Sequence, residues 1–262
     1  MGLANHSLYG VICQNPMARK VFGVIPARLE SQRMPRKPLQ PICGRPMIAW
    51  VYTRARQAAC LHQLVVATDS EEIMDFCLKS NIPAQITSSS HQSGTDRVVE
   101  IMSREAADIY VNIQGDEPMV TARHIELLLE PFDRSPLAQV STLKVPMSSE
   151  AARSPHNVKV VTDSEGRALY FSRALIPHDR DGTGNVQYYK HLGIYAYTAA
   201  ALEKFHALPP SRLERLEKLE QLRFLENGIP IHVVETDQDT IGVDTLEDLH
   251  KVEDYFRRAG LE

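Results

Sequence analysis

Short apolar runs alternate along the chain with segments of helical spacing, the pattern of a sheet covered by helices. Val21-Phe-Gly-Val-Ile25, closed by Pro26, reads as a buried strand. Ala27 to Arg45 is a polar loop, after which Pro46 sits where a first helical turn accepts it and Met47 to Ala58 continues as a helix. Leu64-Val-Val-Ala67 is a second strand, with Ser70 as N-cap and Glu71 and Glu72 at the positive end of the next helix. Ala84 to Ile86 is a weak strand, Thr95 to Arg104 a helix, and Ile109 to Ile113 a strong strand ending in Gln114-Gly-Asp-Glu-Pro118. Thr121 caps a helix to Phe132, and Gln139 to Val145 is a further strand.

Beyond residue 150 the period changes. Val158 to Val161 and Ala168 to Phe171, joined by Asp163-Ser-Glu-Gly166, read as a β-hairpin. His178 to Val186 is expected to be a mobile loop, and Leu192 to Tyr197 a strand. Arg212 to Asn227 reads as one helix ended by Gly228, Ile231 to Val234 as the last strand, and Thr245 to Arg258 as a C-terminal helix. The predicted fold is therefore α/β: a mainly parallel, Rossmann-like sheet flanked by helices, with a β-rich lobe inserted at about residues 155–200.

The length of 262 residues fits one such domain, 21–262, large enough to bury about three quarters of its unfolded surface without disulfides or a structural metal. Residues 1–20 read as a leader, either an upstream start or a disordered tail. Their scattered apolar residues and lack of a basic start do not make a signal peptide. No apolar run approaches the roughly 20 residues of a membrane span. The net charge of −4 argues against nucleic acid as a partner. Cys13, Cys43, Cys60 and Cys77 show no metal or redox spacing, and reduced thiols in a cytoplasm are the expectation.

Two segments carry candidate chemistry, both at strand ends, where open parallel sheets bind ligands. The loop after the first strand gathers Arg28, Arg33, Arg36 and Lys37 in a chain that is acidic overall. Such a loop either is solvated or grips a polyphosphate through forked Arg donors and a mobile Lys charge. No glycine-rich dinucleotide fingerprint or Walker lysine motif follows the strand. In Gln114-Gly-Asp-Glu-Pro118, Asp116 is either a turn residue or a ligand for Mg²⁺, which takes one or two carboxylates beside phosphate oxygens and water. Asp244, just before the last helix, is either a cap or a second such ligand. Two acidic strand ends and one basic loop together are the parts of a metal-assisted phosphoryl-type transfer.

Ten blocks then fall in order along nearly the whole chain. They are Val24-Ile-Pro-Ala-Arg28, Arg33-Met-Pro-Arg-Lys-Pro-Leu39, Gly44-Arg-Pro-Met-Ile48, Val66-Ala-Thr-Asp69 and His91-Gln-Ser-Gly-Thr-Asp-Arg97. The remainder are Asn112-Ile-Gln-Gly-Asp-Glu-Pro118, Tyr170-Phe-Ser-Arg-Ala174, His191-Leu-Gly-Ile-Tyr195, Leu219-Glu-Gln-Leu-Arg223 and Gly242-Val-Asp-Thr245. In these blocks the sequence resembles the 3-deoxy-manno-octulosonate cytidylyltransferases. The resemblance implies CMP transfer from CTP to 3-deoxy-D-manno-octulosonate for lipopolysaccharide synthesis, in the cytoplasm and as a homodimer through the lobe. It implies that Ala27, Arg28 and Lys37 hold the CTP phosphates, and that Ser93, Gly94 and Arg97 recognise the nucleotide. Asp116 and Asp244 would hold Mg²⁺, and Gln114, Arg173, His191, Tyr195 and Glu220 would line the sugar site. Another nucleotidyltransferase or glycosyltransferase, or a silent nucleotide-binding module, are the competing classes.

The chain departs from the family at Arg36, which stands where Gly is usual. Because Arg tolerates positive φ poorly, an ordinary φ is expected there, with the side chain turned from the loop's contact face.

Overall fold

The computed structural model describes residues 19–30 and 34–261. Most of the expected leader, Cys13 and Arg33 lie outside the described residues. The leader's last residue is already tied to the domain, since Lys20 N–H donates to Asp108 Oδ2 at 2.7 Å.

Strand β1 (Val21–Ala27) is followed by a 3₁₀ turn (Lys37–Leu39), the short strands β2 (Pro41–Ile42) and β3 (Arg45–Pro46), and helix α1 (Met47–Ala55). Then come β4 (Gln63–Thr68), α2 (Glu71–Lys79), β5 (Ala84–Ile86), α3 (Gly94–Met102), β6 (Ile109–Asn112), α4 (Ala122–Arg134), β7 (Val140–Met147) and α5 (Ser149–Ala152). The hairpin β8 (Lys159–Thr162) and β9 (Ala168–Ser172) leads to the long β10 (Tyr188–Thr198). Helices α6 (Ala199–Ala207), α7 (Arg212–Glu217) and α8 (Leu222–Glu226), strand β11 (Ile231–Glu235) and helix α9 (Leu246–Arg258) complete the described chain.

The main sheet runs β11-β7-β10-β6-β1-β4-β5. Neighbours β6, β1, β4 and β5 are parallel, as are β7 and β11. Strand β10 is antiparallel to both β6 and β7. The β8–β9 hairpin is continuous with this sheet, joining β10 through the Lys159–Lys190 pairing.

Strand alternation explains the unbroken apolar runs. Val21 and Ile25 of β1, Leu64 and Val66 of β4, and Ile109 and Val111 of β6 enter one core. Phe22, Val24, Val65, Ala67 and Tyr110 point the other way into a second core. Both faces of these strands are buried, so every position is selected for apolar character.

A third apolar cluster positions the site. Met34, Ile42, Met47, Trp50, Met119 and Val243 pack with Leu249, Val252 and Phe256 of α9. Trp50 meets Phe256 at a ring separation of 4.7 Å, and its indole N–H donates to Ile42 O at 2.9 Å. The loop after β1, the loop after β6 and the segment before α9 are thus fastened to one another.

Two expectations are corrected. The single helix over 212–227 is interrupted: Lys218 adopts the left-handed region (φ 56°), so the chain turns between α7 and α8. Arg36 does not have ordinary φ; it sits at φ 55°, ψ 33°, immediately before the 3₁₀ turn. Its guanidinium pairs with Glu72 of α2, and this exposed pair gives the side chain a partner across the loop.

Candidate active site

A cleft of about 1240 Å³ opens beyond the carboxyl ends of β1, β4 and β6. Ala27, Arg28, Lys37, Ser93, Gly94, Arg97, Gln114, Asp116 and Asp244 all line it. The expected phosphate, nucleotide and metal residues, with Gln114, are therefore brought to one place from four separate parts of the chain.

At its floor Lys37 Nζ donates to Asp116 Oδ2 at 2.6 Å and to Asp244 Oδ1 at 2.8 Å. The lysine side chain is 12% exposed, whereas those of Asp116 and Asp244 are 37% and 47% exposed. Burial works to lower the Lys37 pKa, but attraction and hydrogen bonds from the two carboxylates hold it above its usual range.

Each carboxylate is fixed by its backbone. Asp116 follows Gly115, where a Cβ would lie 2.7 Å from Pro26 O; only glycine lets this loop close on the end of β1. Val243 N–H donates to Asp116 O at 2.9 Å, which sets the next residue, Asp244, beside Asp116. The cap reading of Asp244 is corrected, because Thr245 is the N-cap of α9. Its hydroxyl accepts from Asp248 N–H in a capping box, and the Asp244 side chain turns to Lys37.

The N-terminus of α3 points its positive end at the cleft through Ser93 and Gly94. Ser93 caps that helix by accepting from Asp96 N–H. Arg97, one turn in, is buried; it donates to Asp69 Oδ2 at 2.6 Å, Thr87 Oγ1 at 2.7 Å and Ser88 O at 3.1 Å. It binds the end of β4 to the cleft wall. Arg28 is exposed at the rim and has no ion-pair partner among the described residues.

The other expected sugar residues do not line this cleft. Glu220 reaches its edge indirectly, accepting from Thr95 Oγ1 at 2.8 Å; burial raises its pKa. Tyr195 is paired in register with Asn112, whose Oδ1 accepts from Gln114 Nε2 at 3.0 Å. Tyr195 also stands 5.4 Å from the His191 ring and 5.6 Å from Tyr197. His191 lies behind it at hydrogen-bonding distance from Thr142 Oγ1, 3.0 Å, and burial drives its pKa down to about 3. Arg173 stands apart at the end of β9, donating from Nε to Glu217 O at 2.9 Å and from Nη1 to Pro155 O at 3.1 Å.

Sequence reasoning missed Glu117 and Asp69. Asp69 had a legible signal, a carboxylate directly at the end of β4. Glu117 adjoins Asp116 in the loop already singled out, and burial, with Asp116 adding, pushes its pKa up to about 7.

The cytidylyltransferase family model matches residues 22–238. The 3-deoxy-manno-octulosonate cytidylyltransferase of Acidobacterium capsulatum is 58% identical over 89% of this chain and 95% of that protein. The enzyme of the same name from Koribacter versatilis is 53% identical, over 91% and 90%. Among solved structures, a CMP:2-keto-3-deoxy-manno-octonic acid synthetase complexed with CTP superposes with a TM-score of 0.88 at 43% identity, covering 92% of this chain and 99% of that one. A glucose-1-phosphate thymidylyltransferase from Bacillus anthracis, at 15% identity and a TM-score of 0.66, shares the fold alone. With a site of this construction and relatives that match about nine tenths of its length, the chain belongs to the 3-deoxy-manno-octulosonate cytidylyltransferase family.

Proposed function

We propose that the protein transfers CMP from CTP to 3-deoxy-D-manno-octulosonate, releasing pyrophosphate and supplying an activated sugar for lipopolysaccharide synthesis. The observation that carries this reading is the meeting of Lys37, Asp116 and Asp244 at the floor of a cleft lined above by Arg28 and the start of α3. That is an arrangement for a charged polyphosphate, not for a neutral ligand.

The site also fits Mg²⁺. Among the described residues there is no cluster of three or more His, Cys, Asp or Glu suited to a metal. Magnesium needs only one or two carboxylates, with phosphate oxygens and water completing its shell. Asp116 and Asp244 converge closely enough to share one cation, the Lys37 ammonium. These two residues would hold the metal, which when bound supplies Lewis-acid neutralisation of phosphate charge.

In the reaction the sugar's anomeric hydroxyl attacks the α-phosphorus of CTP, the bond to the β-phosphate oxygen breaks, and pyrophosphate leaves. Arg28 and Lys37 bind the phosphates and stabilise charge building on the leaving group. The Gly94 backbone N–H faces the nucleotide with the positive end of α3, while the Ser93 N–H is taken by Asp96 Oδ2 in the capping box. Arg97 supports the nucleotide wall through Asp69 and donates from the guanidinium edge its three protein bonds leave available. On the sugar side Gln114 reaches the cleft directly, with Glu220 and Tyr195 behind it, and His191 and Arg173 holding the more distant wall. The exposed Leu169 and Leu175, on and beyond β9, support a homodimer formed through the hairpin. The cytoplasm, where CTP is made, is the location this reading proposes.

The test is pyrophosphate release by the purified protein with Mg²⁺, the octulosonate and each of the four nucleoside triphosphates. Turnover with CTP and formation of the CMP-sugar are expected. No turnover with CTP, or equal turnover with ATP, overturns the reading.

A further inference from the structure

The carboxylate of Glu117, which the reaction as described does not use, follows Asp116 in the chain and lies against Gly242, two residues before Asp244. Although part of the residue reaches solvent, Oε2 is enclosed and has no hydrogen-bond partner among the described residues. Thr240 hydrogen-bonds the carboxylate and the Lys190 ammonium attracts it, while the like charges of Asp116 and Asp239 oppose its ionised form. On the other side stands Gly242, where a Cβ would lie 3.0 Å from Glu117 Oε1. The carboxylate therefore fills the space between the loop that carries Asp116 and the segment that carries Asp244.

That segment is pinned at both ends. Lys190 of β10 donates to Asp239 Oδ1 at 2.8 Å and to Thr240 O at 2.6 Å. Val243 N–H donates to Asp116 O at 2.9 Å. Between those two points the backbone passes over Glu117, and Gly242 is what allows it to pass so closely. Enclosing a carboxylate with an unsatisfied oxygen costs stability, and that cost falls one residue from Asp116.

We propose that Glu117 is a positioning residue, whose carboxylate braces the Thr240–Asp244 segment from below and so fixes Asp244 opposite Asp116. This rests on the reading of Asp116 and Asp244 as the acidic groups of the transfer reaction. Glu117 itself faces the protein, not the cleft, and is absent from the cleft lining.

Glu117→Ala removes the brace, and Glu117→Gln keeps its shape and an acceptor oxygen. Two readouts decide. Amide hydrogen exchange at Val243 reports the seating of the segment without reference to turnover, and the split between kcat and KM for CTP reports its effect on the reaction. Glu117→Ala should speed Val243 exchange about tenfold or more and lower kcat about tenfold or more, with KM for CTP within about threefold. Glu117→Gln should recover most of both. Gly242→Ala, which forces a methyl against Oε1, should show the same two defects, and combining it with Glu117→Ala should relieve part of them. A folded Glu117→Ala protein with unchanged Val243 exchange overturns the brace. Faster exchange with unchanged kcat overturns the positioning role. If Glu117→Ala does not fold, the Gln variant and Gly242→Ala decide by the same readouts. Loss of the proposed function would show differently, as absent CTP turnover in the unaltered protein, while Val243 exchange would still report the brace.

Discussion

Lys37 Nζ stands 2.6 Å from Asp116 Oδ2 while donating also to Asp244 at 2.8 Å, so one ammonium bridges the two carboxylates proposed to hold the metal and offsets part of their charge. A metal bound there would compete with the lysine for these oxygens in the nucleotide-free protein, and phosphates arriving with CTP would give the lysine a second partner. Lys37→Met should lower kcat by about 10²–10³, the scale of losing one preorganised contact to developing charge. The same variant leaves two carboxylates facing each other without this counter-charge. Mn²⁺ binding to nucleotide-free protein, followed by electron paramagnetic resonance, should therefore tighten about two- to fivefold, since both carboxylates are part-exposed. Unchanged or weaker Mn²⁺ binding would show that Lys37 does not compete for the site.

Asp116→Asn and Asp244→Asn should each reduce kcat by about 10²–10³, and the double variant should fall well short of the product because the two act as a unit. Thermal unfolding separates this from capping. Thr245→Ala should cost about 1 kcal/mol of stability by removing the true N-cap of α9, while Asp244→Asn should leave the helix intact. Near-normal kcat in a folded Asp244→Asn protein would remove that residue from the mechanism.

The reach of the sequence can be judged at particular positions. Strands β1, β4 and β6 were legible because both faces are buried, which writes burial into every residue. The site loops were legible because a basic run after β1 and acidic residues beside a glycine after β6 are unusual compositions at strand ends. The pairing of Lys37 with Asp116 and Asp244 was not, since it depends on how α9 packs against Trp50, a contact between distant segments. Nor was the turn at Lys218, whose left-handed backbone carries none of the glycine or asparagine signal that usually marks such a position. The distance of Arg173 from the cleft is likewise set by packing of the hairpin on α7 and α8, about which a motif in the chain is silent.

Arg36 is the instructive failure, because the argument from residue type was sound and the loop overrode it. At φ 55° the residue bears a left-handed penalty that glycine avoids, of about 1 kcal/mol. Its exposed pair with Glu72 is worth about 0–1 kcal/mol. Arg36→Gly should therefore leave stability unchanged or raise it by up to about 1 kcal/mol, a shift of no more than about 4 °C in Tm. It should keep kcat within a few-fold and KM for CTP within about tenfold, far milder than Lys37→Met. If Arg36→Gly loses as much kcat as Lys37→Met, the guanidinium acts on the reacting phosphates, not on Glu72.

The protonation state of His191 is fixed by its neighbours. The Thr142 hydroxyl has one proton, and it stands 3.1 Å from Leu192 O and 2.8 Å from Ile194 O, both pure acceptors. With that proton spent on a carbonyl, Thr142 Oγ1 accepts from the His191 Nε2–H, 3.0 Å away, and the ring is the neutral Nε2–H tautomer. Phe171 meets the ring edge-on at 5.0 Å, so a charged imidazolium would be poorly solvated. Burial accordingly places its folded pKa at about 3, against 6.5 in an unfolded chain. Above pH 6.5 both states hold a neutral ring and stability is unaffected. Below it the unfolded chain takes up a proton that the folded one refuses, so stability is lost progressively as pH falls from 6.5 towards 3, by at most about 1.4 kcal/mol per pH unit. Glu117 acts with the opposite sign, since its folded pKa of about 7 favours the folded state as pH falls from about 7 towards 4.5, and the raised pKa of Glu220 works in the same direction. The total curve is therefore blunted, and a difference measurement is needed. Urea unfolding of the unaltered protein and of His191→Gln between pH 4.5 and 7.5 should give parallel curves above 6.5, with the unaltered protein losing about 1 kcal/mol more per unit below 6. Parallel curves throughout would mean that His191 protonates equally in both states, and that its ring is less enclosed than Thr142 and Phe171 make it.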